Sequence, residues 1–339
     1  MLGDLSIKKK FILITAVILI ALIGVGIFIH LNSEKTYTGK NESITIGLYP
    51  DFMDAPIYIA NEQGFFTANG LNVTIKNYAT GAAANDALQN DEVDIAVCSE
   101  FVMVNDAFQH ENISIITSFD KSQRFYIIGN KDAGVENVSD LEGKRIGFTK
   151  GTVTNFYLGR FIQLNGMNEQ DVDLVNIQPS QIANAFLAGK IDATIADQSM
   201  VETIQQQDPN GIVIWPAQSS QSCYNVIIAR NDWIKQHPEL VRRFLKSMDQ
   251  SENYLTSNPS QSKSIIGKQM NYTDSEVESM WPNHHFSLTL DESLILAMED
   301  ESRWEIANNL TNETHVPNFK DYISLKGLEE INPNSVSIF

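Results

Sequence analysis

The chain has 339 residues, of which 43% are hydrophobic and 19% charged, and its formal net charge is −18. This length and composition allow one large or two small globular units with a substantial core. The acidic balance argues against a nucleic-acid partner, because nucleic-acid phosphates need a basic surface, and against a surface that lies flat on anionic lipid.

An apolar run, residues 11–31, predicts a membrane anchor. It contains no charged residue and directly follows Lys8, Lys9 and Lys10. About 20 helical residues cross a hydrocarbon core of roughly 30 Å, and the positive-inside rule puts residues 1–10 in the cytoplasm. We therefore expect a single-pass protein of the cell membrane, with the rest of the chain on the outer face. A cleaved signal peptide is the alternative, although its apolar core is normally about 7–15 residues long.

Residues 32–43 are polar and unpatterned, which predicts a linker. From residue 44 onward, short β-rich runs alternate with helical runs, which predicts an α/β fold with mainly parallel strands. The first series predicts strands at 44–48, 72–77, 94–98 and 113–118, with helices at 55–63, 82–89 and 101–109. The second predicts strands at 124–129, 145–148, 172–176, 193–196, 212–215 and 225–229, with helices at 153–165, 180–188 and 199–206. Beyond residue 230 the sequence predicts only helices, at 239–255, 261–269, 274–280 and 291–308.

The two series follow the same plan. DALQNDEVDIAV in the first and AFLAGKIDATIA in the second both lead from a short helix into a strand. Two similar α/β lobes with a cleft between them are therefore expected. Ligand sites in such sheets lie beyond the carboxyl ends of the strands.

Two cysteines, Cys98 and Cys223, lie in or beside apolar strand patterns. We expect two buried thiols, with one disulfide as the alternative outside the cell. Packing explains the adjacent His284 and His285 better than a metal site, because no carboxylate sits at ligand spacing. The sequence contains no nucleophile–base arrangement, phosphate-binding loop or metal signature. It predicts a protein that is not an enzyme and that holds no metal or cofactor.

Five segments in a fixed order carry a resemblance to a known family: IGLYPDFMDAPIYIANEQGFFTANGLNV, ALQNDEVDIAVCSE, DLEGKRIGFTKGTVTNFYL, AFLAGKIDATIADQ and ARNDWIKQHPELVRRFLKSM. Together they cover about residues 44–248. The chain resembles the extracytoplasmic solute-binding proteins of ABC importers, of the nitrate/sulfonate/taurine and thiamine-pyrimidine-precursor type.

The resemblance implies a two-lobed periplasmic-binding-protein-like fold of type II, preceded by the transmembrane helix. Lobe 1 would comprise residues 44–119 plus 225–339, including the C-terminal helices, and lobe 2 residues 120–224. Hinge strands would cross near 118–123 and 222–226, and the lobes would close on a ligand. The implied partners are a small solute and the permease and ATPase subunits of an ABC transporter.

The strongest candidate for ligand binding is the turn formed by Gly151, Thr152, Val153 and Thr154, between a predicted strand and a predicted helix. The free N–H groups and the positive end of a helix favour an anion there, and the threonine hydroxyls add donors. An ordinary helix cap is the alternative. The family often has a ring-bearing polar residue where Asn155 stands, which puts the ligand's identity in doubt.

Other candidates follow strands that end at the expected cleft, and for each an ordinary loop residue is the alternative. Tyr49 can stack on a ligand or hydrogen-bond it. Many family members have an aromatic residue and a glutamate where Asp197 and Gln198 stand. The full set comprises Tyr49, Asp51, Thr80, Gly81, Ser99, Glu100, Asp197 and Gln198.

These observations predict a membrane-tethered protein that captures a small anionic solute, such as a sulfonate, nitrate or taurine, and delivers it to an ABC-type permease. A neutral or aromatic ligand such as a pyrimidine is an alternative, because the part beyond the anchor has a net charge near −20. Two further alternatives are a cofactor-biosynthesis enzyme on the same fold and a ligand-sensing ectodomain.

Overall fold

The computed structural model describes residues 37–338. The elements described below all lie within residues 40–338. Within residues 37–338, no helix is both long enough and apolar enough to cross a membrane. The predicted anchor, residues 11–31, lies outside the described residues.

The first series of elements alternates strands with helices, as the sequence predicts. Its members are β1 (Glu42–Leu48), α1 (Ala55–Glu62), α2 (Phe65–Ala68), β2 (Leu71–Asn77), α3 (Gly81–Gln89), β3 (Ile95–Ser99), α4 (Glu100–Phe108) and β4 (Ile113–Ser122). In β1, Ile44, Ile46 and Leu48 are buried, which is the spacing that places side chains on one face of a strand. Pro56 lies in the first turn of α1, where a missing N–H costs no hydrogen bond.

The second series builds a separate sheet. Its members are β5 (Phe125–Asn130), β6 (Arg145–Phe148), α5 (Val153–Leu164), β7 (Asp173–Asn176), α6 (Pro179–Leu187), β8 (Ala193–Asp197), α7 (Gln198–Gln207) and β9 (Ile212–Pro216). The buried faces of β5, β8, α6 and α7 form one apolar cluster around Ile128, Phe186 and Ile204. The burial of these side chains holds the helices on the sheet.

The remaining chain returns to the first sheet. Its elements are β10 (Cys223–Arg230), α8 (Asn231–Gln236), α9 (Pro238–Ser257), α10 (Pro259–Met270), α11 (Asp274–Met280), β11 (His284–Thr289), α12 (Glu292–Ala307) and α13 (Lys326–Ile331). The apolar faces of α9, α12 and α13 complete the core under the first sheet, through Phe244, Leu294 and Leu328 among others.

The protein is therefore a mixed α/β structure with two sheets. The first has the order β11-β4-β10-β3-β1-β2 and the second the order β7-β6-β8-β5-β9. The chain passes between the sheets after Ser122 and again between Pro216 and Cys223. We name the part on the first sheet lobe 1 and the part on the second lobe 2. The predicted lobe limits, 119/120 and 224/225, fall inside β4 and β10.

The expectation of mainly parallel strands is only partly right. Strand β10 runs antiparallel to both β3 and β4, and β5 runs antiparallel to both β8 and β9. Each of these reversed strands begins directly after the chain has crossed from the other lobe. The direction of these strands therefore depends on how the chain crosses between the lobes. The local sequence pattern does not predict that crossing.

Strand β11 is missing from the sequence prediction, which places only helices beyond residue 230. It pairs antiparallel with the last part of β4. His284 is held there by tertiary contacts, since its Nδ1 lies 3.0 Å from Asp120 Oδ2 and its ring centroid lies 5.1 Å from that of Phe52. Asp120 also accepts a hydrogen bond from Asn225 Nδ2 at 3.0 Å. These buried polar partners explain why a segment that begins with two histidines forms a strand.

An apolar contact joins the two lobes. Phe101 of α4 and Trp304 of α12, both in lobe 1, pack against Phe156 of α5 in lobe 2, with ring centroids 6.2 and 5.4 Å away. Aromatic pairs at such separations contribute about 0.5–1.5 kcal/mol beyond their buried area. The lobes are therefore packed together at the N-terminal half of α5.

Candidate functional site

A cavity of about 110 Å³ lies between the lobes, at the carboxyl ends of β1, β3, β6 and β8. Because a cavity of about 150 Å³ holds benzene, this smaller cavity suits a solute no larger than benzene. Most of the residues that the sequence predicts for ligand binding line it: Tyr49, Asp51, Thr80, Gly81, Ser99, Thr152, Val153, Thr154 and Asp197. Apolar side chains complete the wall, among them Met53, Val102, Phe125, Ile182, Ile195 and Met200.

Asp51 lies at the end of the loop that follows β1. Its Oδ1 accepts a hydrogen bond from the backbone N–H of Phe52 at 2.6 Å, and Asp54 Oδ2 accepts one from the backbone N–H of Asp51 at 3.2 Å. This reciprocal cap fixes the carboxylate, so its second oxygen, Oδ2, faces Arg124. Burial and the neighbouring Asp51 raise the pKa of Asp54 well above its usual value.

Arg124 is the central charged residue of the cavity, and sequence reasoning missed it. It is only 7% exposed, its Nη1 donates to Asp51 Oδ2 at 2.6 Å, and it lies 3.7 Å from Asp197 Oδ2. Burial lowers the pKa of the guanidinium, but Asp51 and Asp197 outweigh this and raise it, so the cation persists. The sequence offered one indication of its role, since Arg124 is the first residue of the strand predicted directly after the crossing at residues 118–123.

Asp197 faces Arg124 from lobe 2. Its Oδ1 accepts hydrogen bonds from Met200 N at 2.8 Å and from the Ser199 hydroxyl at 2.9 Å, which caps α7. Burial and the nearby Asp51 raise the pKa of Asp197, while Arg124 lowers it only in part. Arg124 is thus linked to a carboxylate of each lobe.

Two helix N-termini also border the cavity. In α3, Thr80 Oγ1 accepts from Ala83 N at 3.0 Å. At the start of α5, the hydroxyls of Thr152 and Thr154 lie 2.7 Å apart, and Thr152 donates to the carbonyl of Thr149 at 2.8 Å. The first N–H groups of a helix have no acceptor within it, so both ends offer donors and partial positive charge to an anion.

Three predicted residues lie elsewhere. Glu100 is fully buried, and its Oε1 accepts from Tyr224 N at 2.8 Å. Gly151 occupies the turn before α5 with φ of +74°, outside the cavity lining. Gln198 Nε2 reaches Ser279 of α11 in lobe 1 at 3.1 Å, so it joins the lobes beside the cavity.

Buried carboxyl groups cluster where α4 and α12 meet lobe 2. Burial raises the pKa of Glu100 to about 8 and that of Glu305 to about 7. Burial, followed by Glu100 and Glu305, also raises the pKa of Glu301 well above its usual value. Both carboxyl oxygens of Glu301 are buried without a hydrogen-bond partner among the described residues. Burial in the folded state therefore favours the neutral, protonated form of these carboxyl groups.

Cys98 and Cys223 are both free and buried, which confirms the prediction of two buried thiols. Cys98 lines the cavity at the end of β3. Burial, followed by Asp106 and Glu100, raises the pKa of its thiol well above the usual value.

Comparison with known proteins defines the class first. The alkanesulfonate-binding protein SsuA of Xanthomonas axonopodis pv. citri, bound to MOPS, superposes with a TM-score of 0.73 at 14% identity, over 85% of this chain and all of that chain. The fold is therefore that of periplasmic binding proteins. The sequence pattern of the family described as NMT1/THI5 like matches residues 51–262, and the chain belongs to this family.

Individual relatives differ in what their names describe. The taurine-binding periplasmic protein of Escherichia coli is 25% identical over 208 residues, which cover 58% of this chain and 62% of that protein. A 4-amino-5-hydroxymethyl-2-methylpyrimidine phosphate synthase of Saccharomyces cerevisiae is 21% identical over 219 residues, which cover 60% and 64%. The relatives of this chain thus include both a binding protein and an enzyme.

Proposed function

We propose that this protein is an extracytoplasmic solute-binding protein that captures a small solute between its two lobes and delivers it to an ABC-type permease. The main support for this function is the cavity, which is lined by strand ends and helix N-termini of both lobes. Closure of lobes around a ligand is an established way for such a fold to bind. Residues 11–31 would keep the protein at the outer face of the cell membrane.

The names of relatives support a solute of the sulfonate or taurine type. The cavity volume of about 110 Å³ supports a compact solute. Of the residues predicted for ligand binding, Glu100 and Gly151 have no contact with the solute in this proposal, because they lie outside the cavity lining. Those that line the cavity would contact the solute, while Gln198 would act through the contact between the lobes.

The relative that is a synthase makes an enzyme the second candidate, and Cys98 is the observation that bears on it. A thiol at the cavity wall can act as a nucleophile only as the thiolate. Because burial and two nearby carboxyl groups raise the pKa of Cys98 well above the usual value, the thiolate is scarce at pH 7. Solute binding is therefore the better supported function.

The function is tested by thermal unfolding of the purified full-length protein with a panel of solutes. The panel contains alkanesulfonates, aminosulfonates, nitrate, carboxylates and pyrimidines. A solute present at 100 times its dissociation constant should raise the free energy of unfolding by about 2.7 kcal/mol. Stabilisation by none of them, together with turnover of a biosynthetic pyrimidine intermediate, would contradict the proposal.

The role of the α5 N-terminus is tested by Thr152→Ala with Thr154→Ala. Loss of the two hydroxyls should weaken solute binding about threefold to tenfold. The Thr152 hydroxyl already donates to the Thr149 carbonyl, so Thr154 is left to donate to the solute, and one hydrogen bond contributes about 0.5–1.5 kcal/mol. Calorimetric titration measures the affinity, and urea unfolding checks the fold. Thr203→Ala is the matched control, since its exposed hydroxyl donates within α7. Equal affinity of the double variant and the control would remove Thr152 and Thr154 from the site.

A further inference from the structure

One buried side chain joins the two segments that cross between the lobes. Gln218 is only 3% exposed, and its Oε1 accepts hydrogen bonds from the backbone N–H groups of Arg124 and Phe125, at 2.6 and 2.9 Å. Its Nε2 donates to the carbonyl oxygens of Ser122 and Gln221, both at 2.9 Å. The amide thus links both crossings, and it joins the end of β4 in lobe 1 to the start of β5 in lobe 2.

The turn that follows Gln218 is strained. Ser219 and Ser220 have φ of +44° and +71°, and Gln221 N donates to the carbonyl of Gln218 at 2.8 Å, as in a type I′ turn. Turns of this type favour the dipeptide Asn-Gly, because left-handed backbone torsions are unfavourable for most other residues. Such strain persists where the surrounding structure enforces it, and it is common in ligand clamps and switch regions.

Hydrogen bonds hold this turn, since side-chain packing contributes little. Ser219 and Ser220 are both exposed, and the carbonyl of Ser220 accepts a long hydrogen bond, 3.4 Å, from Gln123 Nε2. The four shorter hydrogen bonds of the Gln218 amide are therefore the main restraint on the turn. They require the present spacing of the two crossing segments, and that spacing depends on how the lobes meet.

The same amide is connected to the cavity. Gln218 lies outside the cavity lining, but its Oε1 fixes the backbone N–H of Arg124. The guanidinium of Arg124 donates to Asp51 of lobe 1 at 2.6 Å. Movement of one lobe against the other would therefore shift Arg124 relative to Asp51 and disturb the hydrogen bonds of Gln218 at the same time.

We propose that Gln218 and the Ser219–Ser220 turn form a hinge latch. The Gln218 amide stabilises the arrangement in which the lobes meet around the cavity, and the strained turn favours the arrangement in which they part. Gln218 is thus a positioning residue, which acts on the solute through Arg124 and the spacing of the lobes. This inference rests on the proposed binding function and names the residues that set the balance between the two arrangements.

Ser219→Asn with Ser220→Gly is the main test, because it supplies the residues that a type I′ turn favours. Relief of the strain should favour the arrangement in which the lobes meet. Spin labels at Ala79→Cys in lobe 1 and Lys150→Cys in lobe 2, exposed residues next to the cavity lining, should then report more short distances in the full-length protein without solute. The dissociation constant of 2-aminoethanesulfonate should fall at least threefold, because it falls as the binding-competent fraction grows.

His110→Gly is the matched control for this double variant. His110 has φ of +57° and is exposed just after α4 in lobe 1, so glycine relieves the same kind of strain away from the crossings. Both changes should raise the free energy of unfolding. The control should alter neither the label distances nor the affinity, which separates the hinge latch from a general gain in stability.

Gln218→Met tests the amide in the opposite direction. Methionine has a similar length and cannot form the four hydrogen bonds, so the label distances without solute should become longer and broader. Binding of 2-aminoethanesulfonate should weaken at least tenfold. Gln207→Met, at an exposed position on α7, is the control. If Gln218→Met does not fold, the double variant still decides, because it keeps the amide.

Label distances in the double variant that equal those of His110→Gly, or are longer, would overturn the hinge latch. Shorter distances support it whether or not 2-aminoethanesulfonate binds, because this measurement contains no solute. The binding function is decided separately by the solute panel. If no solute of the panel binds and the distances still shorten, the hinge latch stands and the binding function does not.

Discussion

Arg124→Met should lower the free energy of unfolding by about 3–5 kcal/mol, since removal of one partner leaves buried charge uncompensated. The change removes the guanidinium that lies between Asp51 and Asp197 and keeps a side chain of similar length. The two carboxylates would then repel each other across the cavity. Urea unfolding of the full-length protein at pH 7 measures the loss, and solute affinity should fall at least tenfold.

Two further variants separate this effect from the general loss of an ion pair. Arg303→Met breaks an exposed pair with Glu299, four residues away on α12, and should cost no more than about 0.5 kcal/mol. Arg124→Met with Asp51→Asn should regain part of the lost stability, because one uncompensated charge is gone. A loss below about 1 kcal/mol in Arg124→Met would show that Arg124 does not hold the carboxylates together.

Glu100→Gln should make the protein more stable than the unchanged protein at alkaline pH and about equally stable near pH 5. The pKa of Glu100 is about 8 in the folded protein, against 4.5 as its ordinary value. Between these values the folded state keeps a proton that the unfolded state has lost, so stability falls as the pH rises. Each such group contributes a slope of about 1.4 kcal/mol per pH unit, and glutamine removes the slope of Glu100.

The measurement is urea unfolding between pH 5 and pH 9. The advantage of Glu100→Gln should reach on the order of 2–4 kcal/mol at pH 8, and Glu142→Gln, an exposed control, should show a difference that does not vary with pH. Solute affinity at pH 7 should be unchanged, because Glu100 lies outside the cavity lining. If the free energy of unfolding changed with pH in the same way for Glu100→Gln and the unchanged protein, the raised pKa of Glu100 would be contradicted.

Local patterns were sufficient to place the elements that border the cavity. The alternation of Ile44, Ile46 and Leu48 marks β1, and the Thr80 and Thr152 turns mark the starts of α3 and α5. Most of the residues predicted from such strands and turns therefore line the cavity, with Glu100, Gly151 and Gln198 as the exceptions. The family resemblance is also confirmed, since the chain belongs to the NMT1/THI5-like family and is similar to a taurine-binding protein.

Residues that depend on partners distant in sequence were harder to place. Arg124 gains its importance from Asp51, 73 positions earlier, and from Asp197, 73 positions later. Glu100 follows a strand that ends at the cavity, but its side chain turns to the backbone of Tyr224 on the returning strand β10. In both cases the partner that fixes the side chain is separated from it in sequence by at least one crossing between the lobes. A local sequence pattern cannot predict such a contact.

Closure of the two lobes on a small solute is the motion that the proposed function requires. Spin labels at Gln205→Cys on α7 of lobe 2 and Ser275→Cys on α11 of lobe 1 would report the distance between the lobes. Both positions are exposed, and the native Cys98 and Cys223 are buried and would not be labelled. A solute from the panel that binds in calorimetry should convert a broad set of longer distances into a single short one. An unchanged distance distribution at saturating solute would contradict closure on the ligand.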